Sequence, residues 1–348
     1  MSADSIGLDP DWVAANVVVD GRTPNGAAFA GFIGTGQMSR NARYSLDWGG
    51  APGPATVVVK IPSADAGTRS VAFEHGIYQR ECEFYRSVRP LTEVAAPALV
   101  AAHVADDDFC LVLEDLAGSV QGDQFTEATD EQLVLAIEQA AALQAPVWGQ
   151  VDRTEFDPYR EDPDQRAAAY GERMPFFHAV VQERLGTGLD PDVATMLGRF
   201  VELTSAYVGR ADPVTLVHGD FRPDNFLYAA ATGAPPIMIV DWQTLGLGTG
   251  VTDVAYLLGA AVAPERRREI EHDMIDRYLD ELSARGVDHR RDRCLDEYAV
   301  SALHGVVIAM SATVMAEQTD RGDALFTLML NRHGRHALDM EALDRIDS

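Results

Sequence analysis

Two carboxylates and one amide in a short stretch of this chain could together hold a divalent cation and steer a hydroxyl group. In LVHGDFRPDNFLY, residues 216–228, Asp220 and Asn225 stand five residues apart, and Asp241 follows sixteen residues after Asn225. The apolar runs 214–217 and 237–240 read as strands on either side, giving the order strand, loop, strand, acid. A carboxylate beside a hydroxyl orients it and can take its proton, a role for Asp220. Asp241 is a hard oxygen donor suited to Mg²⁺ bridging phosphates, and Asn225 adds an oxygen without a further charge. The chemistry these residue types serve is phosphoryl transfer, which needs positioning and charge neutralisation more than covalent help.

A cation for the phosphates stands earlier in the chain. Of 28 basic residues only Lys60 is lysine, and it stands within the β-branched run Thr56-Val57-Val58-Val59-Lys60-Ile61, a short buried strand. Its compact ammonium suits the α- and β-phosphates, and a carboxylate on the following helix must hold its flexible stem. Glu81 is the first candidate, with Glu83 and Glu74 as alternatives. Backbone amides from Gly34 through Gly36 to Met38 could close over the phosphates. Two other glycine patterns fail. The dinucleotide fingerprint needs a third glycine and a following helix, but a strand follows Gly36. The Walker loop needs glycine before its lysine, and Val59 is there. The remaining pattern has a glycine-rich hairpin, a third-strand lysine, a helix glutamate, an Asp-x-x-x-x-Asn loop and a metal-binding Asp; all five occur here in order.

The elements that must position these groups are legible in outline. Asp9 caps a helix opened by Pro10. Strands are expected over 28–33, 42–48, 56–61 and 110–113, and a helix over 71–88. Helices then dominate: 130–143, 165–185, 192–208, 264–285, 295–316 and 321–343. The expected fold is α+β and bilobal, with a small antiparallel-sheet lobe over 1–116 and a larger, mainly helical lobe over 117–348. Acids exceed bases by 7 in the first and by 19 in the second. Tyr170, Met174, Phe176 and Phe177 cluster in the helical lobe, either as core or as an apolar wall for an acceptor.

At these residues the chain resembles the aminoglycoside phosphotransferase and choline kinase superfamily, and is most similar to its ecdysteroid-kinase-like branch. His218-Gly219-Asp220 resembles that family's His-Gly-Asp, and Asp241-Trp242-Gln243 its Asp-Phe-Gln. Residues 80–85 look like its Glu-x-x-x-Tyr helix, which favours Glu81 as the lysine partner. Residues 111–116 resemble its hinge, implying adenine contacts from the Glu114 carbonyl and the Leu116 amide. Asp253-Val254-Ala255-Tyr256 is similar to its Asp-Leu-Ala element, where Asp253 is expected to brace the catalytic loop. The resemblance runs from about Leu8 to Leu258. It implies a protein-kinase-like fold, ATP and Mg²⁺ as cofactors, and a small-molecule alcohol as acceptor. Gln144 departs from the pattern, since relatives often have histidine there. Eleven residues between Asp241 and Asp253 leave no room for the segment that docks peptides in protein kinases.

Composition narrows the field further. A net charge of −26 opposes binding to nucleic acid or to anionic membranes. The apolar stretch 299–316 is interrupted by His304, Gly305 and hydroxyl residues, and is expected to be a core helix. Three scattered cysteines, Cys82, Cys110 and Cys294, suggest buried reduced thiols and, with no leader pattern, a cytoplasmic protein. No His and Cys spacing suggests zinc, and no protein partner is evident. Alternatives to an alcohol kinase are a hydroxyacyl-CoA kinase and a catalytically weak nucleotide-binding pseudokinase. If Asp220 is the base, Asp220→Asn lowers phosphate transfer by about a hundredfold or more while nucleotide binding survives; turnover at the wild-type rate would overturn that role.

Overall fold

The computed structural model describes residues 5–34, 38–105, 108–210, 213–229 and 235–346. The first part of the chain builds one antiparallel sheet from β1 (Gly26–Ile33), β2 (Ser39–Asp47), β3 (Thr56–Pro62), β4 (Leu99–Val104) and β5 (Phe109–Glu114), in the order β1-β2-β3-β5-β4. β3 is central because its residues can be buried on both faces: Val57, Val59 and Ile61 are buried, and so is Lys60. Pairing of Lys60 with Asn41 on one side and Leu111 on the other fixes the lysine in the sheet. α1 (Pro10–Asn16), capped by the Asp9 side chain, packs Val13 and Val17 against one face of the sheet.

The helix expected over 71–88 is broken. α2 (Ala66–Glu74) ends at His75, Gly76 takes the left-handed conformation at φ 64°, and α3 (Ile77–Glu83) starts afresh. Glycine enters that region without a Cβ penalty, so the break lets α3 turn its own face to the sheet. A π-helical turn, Phe84–Val88, then carries the chain on. β4 and the short strands β8 (Phe226–Tyr228) and β10 (Gly246–Gly248) carry too few alternating residues to be read from sequence. So does β6 (Val120–Gln121), whereas β7 (Thr215–Val217) and β9 (Ile237–Ile239) fall on the two expected runs.

Helices α4 (Asp130–Gln144), α5 (Pro163–Leu185), α6 (Pro191–Gly209), α7 (Val251–Ala261), α8 (Pro264–Ala284), α9 (Arg291–Met315) and α10 (Asp320–Asp339) form the rest. α7 is almost wholly buried, so it shows no amphipathic stripe, which is why its sequence does not announce it. α9 is long and apolar enough to cross a membrane by length and composition, but it packs on α5, α7 and α10, with most of its apolar window buried. The strands β8 and β9 pair antiparallel, as do β7 and β10. Those two small sheets carry the loops that hold Asp220, Asn225 and Asp241.

Candidate active site

Lys60 meets its partner at the back of a large cleft between the sheet and the helices. Its Nζ lies 2.8 Å from Glu81 Oε1, 2.7 Å from Glu81 Oε2 and 2.9 Å from Asp241 Oδ1. Glu81 is therefore the lysine partner, while Glu83 turns instead to Ser87 and Arg86. Burial pushes the ammonium pKa down, but Asp241 and Glu81 outweigh it, and the group is held above its ordinary range and charged. Asp241 is a non-glycine residue at φ 68°, a conformation costing about 1–2 kcal/mol. Phe84 stacks on Trp242 at 3.7 Å and 11°. Glu81 also accepts the Trp242 amide at 3.4 Å, so α3 holds the strained turn from two sides.

Asp220 is held by three donors. Tyr256 Oη reaches Oδ1 at 2.7 Å, Asn225 Nδ2 reaches Oδ2 at 2.9 Å, and Arg222 Nε reaches Oδ2 at 3.1 Å. Burial raises the carboxyl pKa, but Arg222, Tyr256, His218 and Asn225 outweigh it, and the group is held below the usual carboxylate range. Asn225 spends its amide hydrogens on Asp220, on the carboxylate and on the main-chain oxygen at 2.8 Å. Its amide oxygen is the atom with no donor among the described residues. The partly exposed carboxylate of Asp241 and the amide oxygen of Asn225 make an incomplete site of hard donors. That fits Mg²⁺, which takes few protein ligands and completes its shell with phosphates and water. Among the described residues no cluster of three His, Cys, Asp or Glu could hold a metal by itself.

The loop carrying Asp220 hangs on a buried carboxylate. Asp253, on α7, accepts the His218 amide at 2.9 Å, the Gly219 amide at 3.1 Å and Gln144 Nε2 at 3.0 Å. Burial raises its pKa to about 6, despite those three donors. Gln144 is thus a working part of the site: it also donates to the Gly250 carbonyl and accepts from Tyr278 Oη. Gly219 sits at φ 81°, and a Cβ there would lie 2.6 Å from the Thr244 carbonyl, so only glycine fits. His218 braces the loop, with Nε2 3.1 Å from the Val240 carbonyl and Nδ1 accepting the Asp220 amide at 3.3 Å. His304 Nε2 reaches the Gly219 carbonyl at 2.6 Å.

The remaining expected residues line the same cleft, about 1850 Å³ in volume. Gly34 ends β1 at φ 72° and faces it; Gly36 lies outside the described residues. Glu114 and Leu116 line the cleft where β5 leaves the sheet, and Asp115 between them is clamped by Arg43 at 2.7 and 3.0 Å. Of the aromatic cluster, Tyr170 and Phe177 line the cleft, Met174 is core and Phe176 faces outward. Sequence reasoning missed Arg222, Tyr256 and His304. Arg222 lies two residues past Asp220 in the same loop, and Tyr256 sits one helical turn past Asp253; His304 carries no local signal beyond being a polar residue in an apolar helix.

The sequence profile of the ecdysteroid kinase-like family matches residues 42–286. No curated protein sequence matches the chain. Among solved structures it is similar to a choline kinase from Cryptosporidium parvum Iowa II, at 11% identity and a TM-score of 0.55 over 90% of this chain and 89% of the other. It is similar to an aminoglycoside phosphotransferase solved with GDP and kanamycin, at 14% identity, TM-score 0.53, covering 90% and 94%. A microcompartment-associated aminopropanol kinase follows at 13% identity, TM-score 0.51, covering 91% and 94%.

Two outcomes follow from the buried loop supports. Gln144→Ala leaves the Gly250 carbonyl and the Tyr278 hydroxyl short of a partner and removes one donor from Asp253. It is expected to cost about 1–3 kcal/mol of stability by chemical denaturation; an unchanged midpoint would contradict this. His218, His304, His333 and His336 are held below the ordinary value of 6.5, chiefly by burial. Unfolding below that pH lets each take up a proton, at up to about 1.4 kcal/mol per histidine per pH unit. Asp253 acts oppositely: its raised value means stability grows as pH falls from about 6 toward 3.8, and Glu81 and Asp224, also raised by burial, act in the same sense, so three carboxyls oppose four histidines. Unfolding free energy should therefore fall between pH 7 and 5.5, and a flat or rising profile would refute the assignment of these histidines as neutral.

Proposed function

This chain belongs to the ecdysteroid kinase-like family, and from that premise we propose that it is an ATP- and Mg²⁺-dependent kinase phosphorylating a hydroxyl of a small molecule. The observation that carries this reading is the convergence of Lys60, Glu81, Asp241, Asn225 and Asp220 on one cleft. Structures of the same fold are named as choline, aminopropanol and aminoglycoside kinases, and two were solved with ADP or GDP.

The roles follow from the geometry. Lys60, fixed by Glu81, presents its ammonium to the α- and β-phosphates. Glu114 and Leu116 border the adenine end, and Gly34 the phosphate end. Asp241 and Asn225 would hold Mg²⁺, which when bound offsets phosphate charge. Asp220 orients the acceptor hydroxyl and receives its proton. With Arg222 and Tyr256 holding its pKa low, Asp220 is a weak base, which suits a transfer whose nucleophile loses its proton late. Arg222 and Tyr256 also fix the direction in which the carboxylate points.

The acceptor side of the cleft favours an apolar alcohol over a polycation. α5 presents Arg166, Tyr170, Arg173 and Phe177, and α9 presents Val307, Ile308, Ala312 and Met315. Neither stripe carries a carboxylate; Asp152, Glu161 and Glu317 line the cleft only from the segments that flank the two helices. The two helices run side by side in the same direction: Arg166 acts electrostatically on His304 at the catalytic loop, and Arg184 reaches the Thr313 and Ala316 carbonyls at the far end. From His304 to Met315 the wall extends about 16 Å at 1.5 Å per residue, room for a bulky acceptor. The three buried thiols support a cytoplasmic setting.

The direct test is a γ-phosphate transfer screen over hydroxylated metabolites, steroids and antibiotics. Transfer to an apolar alcohol supports the reading, and nucleotide binding without transfer to any acceptor would favour a pseudokinase. Lys60→Arg keeps the charge but replaces a point donor with a wide planar fork between Glu81 and Asp241. It is expected to lower kcat/KM about a hundredfold with the fold intact by circular dichroism; near-normal ATP affinity and turnover would argue against the role of Lys60.

A further inference from the structure

Two histidines lie buried behind Asp220 with no task in the proposed chemistry. His333 and His336, on α10, are 0% exposed, and none of their four ring nitrogens has a hydrogen-bond partner among the described residues. Burial keeps both neutral. A neutral imidazole with idle nitrogens contributes its shape.

For His333 that shape has a clear recipient. Its ring lies flat on Tyr256, with centroids 4.9 Å apart and planes 6° from parallel. His304 meets the same phenol edge-on at 5.5 Å and 75°. Tyr256 Oη in turn donates to Asp220 Oδ1 at 2.7 Å. The room for the His333 ring comes from two glycines inside helices. A Cβ at Gly305 in α9 would lie 2.1 Å from His333 Nδ1, and one at Gly259 in α7 would lie 2.4 Å from it. Glycine weakens a helix interior relative to alanine, yet both helices facing this ring carry it.

We propose that His333 is a positioning residue: its flat ring fixes the plane of Tyr256, so that the phenol hydroxyl stays on Asp220 and the carboxylate keeps its aim at the acceptor. The inference rests on the reading of Asp220 as the acceptor-orienting carboxylate. Stacked against His333 and met edge-on by His304, the phenol has one orientation open to it. Without the His333 ring it can rotate into the vacated space, and Asp220 then turns toward Arg222.

The test uses the full chain with Mg-ATP and water as acceptor, reading kcat and the KM for ATP, together with crystal structures of the variants. In His333→Ala, and in Gly305→Ala, whose methyl displaces the ring, kcat is expected to fall on the order of tenfold with KM for ATP little changed. Tyr256→Phe gives the same loss, and combining it with His333→Ala adds nothing further, since both break one contact. His333→Phe keeps a flat ring and most of the activity. Wild-type kcat in folded His333→Ala, losses that multiply in the double variant, or equal losses in the Ala and Phe variants would each overturn the proposal. If the wild-type chain turns over no ATP with any acceptor, the kinase reading fails by itself. The His333→Ala structure then decides the positioning role: a Tyr256 hydroxyl moved beyond 3.5 Å from Asp220 upholds it, and one still in place refutes it.

Discussion

The ammonium of Lys60, shared between Glu81 and Asp241, is the interaction on which the cleft depends. It joins three separate pieces of chain: the central strand β3, the helix α3 and the turn after β9. Burying a lysine in a sheet costs several kcal/mol unless its charge is answered, and here two carboxylates answer it. The dependence runs both ways. Asp241 sits in a strained left-handed conformation, and the ion pair and the Phe84–Trp242 stack are what oblige it to stay there. The break at Gly76 is part of the same arrangement, because it frees α3 to bring Glu81 beneath the strand.

A second buried carboxylate does for the loop carrying Asp220 what Lys60 does for the turn carrying Asp241. Among the described residues no cation stands beside Asp253; its two oxygens are answered by two backbone amides and the Gln144 amide. A carboxylate answered only by neutral donors stays partly destabilised by burial, which is why its pKa is raised while that of Asp220, beside Arg222, is lowered. The two aspartates thus divide the work. One supports the loop through backbone groups, and the other is left facing the cleft with its orientation fixed by side chains.

The acid excess of the helical part has less bearing on the acceptor than its size suggests. Helices separate charge by face: many Glu and Asp gather in ion pairs such as Arg268–Asp339 and Arg277–Glu281, while α5 and α9 turn apolar residues and two arginines to the cleft, with Asp152, Glu161 and Glu317 lining it from the segments beside them. A net charge summed over a lobe averages across this division, so it says little about what the cleft binds.

The sequence by itself determined the order and spacing of the candidate site residues. Asp220, Asn225 and Asp241 must follow one another on a loop and a turn because the strands between them are short and consecutive. Lys60 could be singled out because a lone lysine in an apolar strand, in a chain that otherwise uses arginine, has to be answered. The sheet strands and long amphipathic helices were legible for the same local reason: their period is written in neighbouring residues. Only the tertiary structure decided how these groups are held. Glu81 was separated from Glu83 and Glu74 by the direction α3 takes after Gly76. Gln144, Tyr256, His304 and His333 come from four different helices, and α7 shows no periodicity because nearly all of it is buried. Side chains that reach Asp220 and its loop from 36 to 85 residues away in sequence leave no local pattern, since what places them is the packing of helix on helix and not the spacing along any one of them.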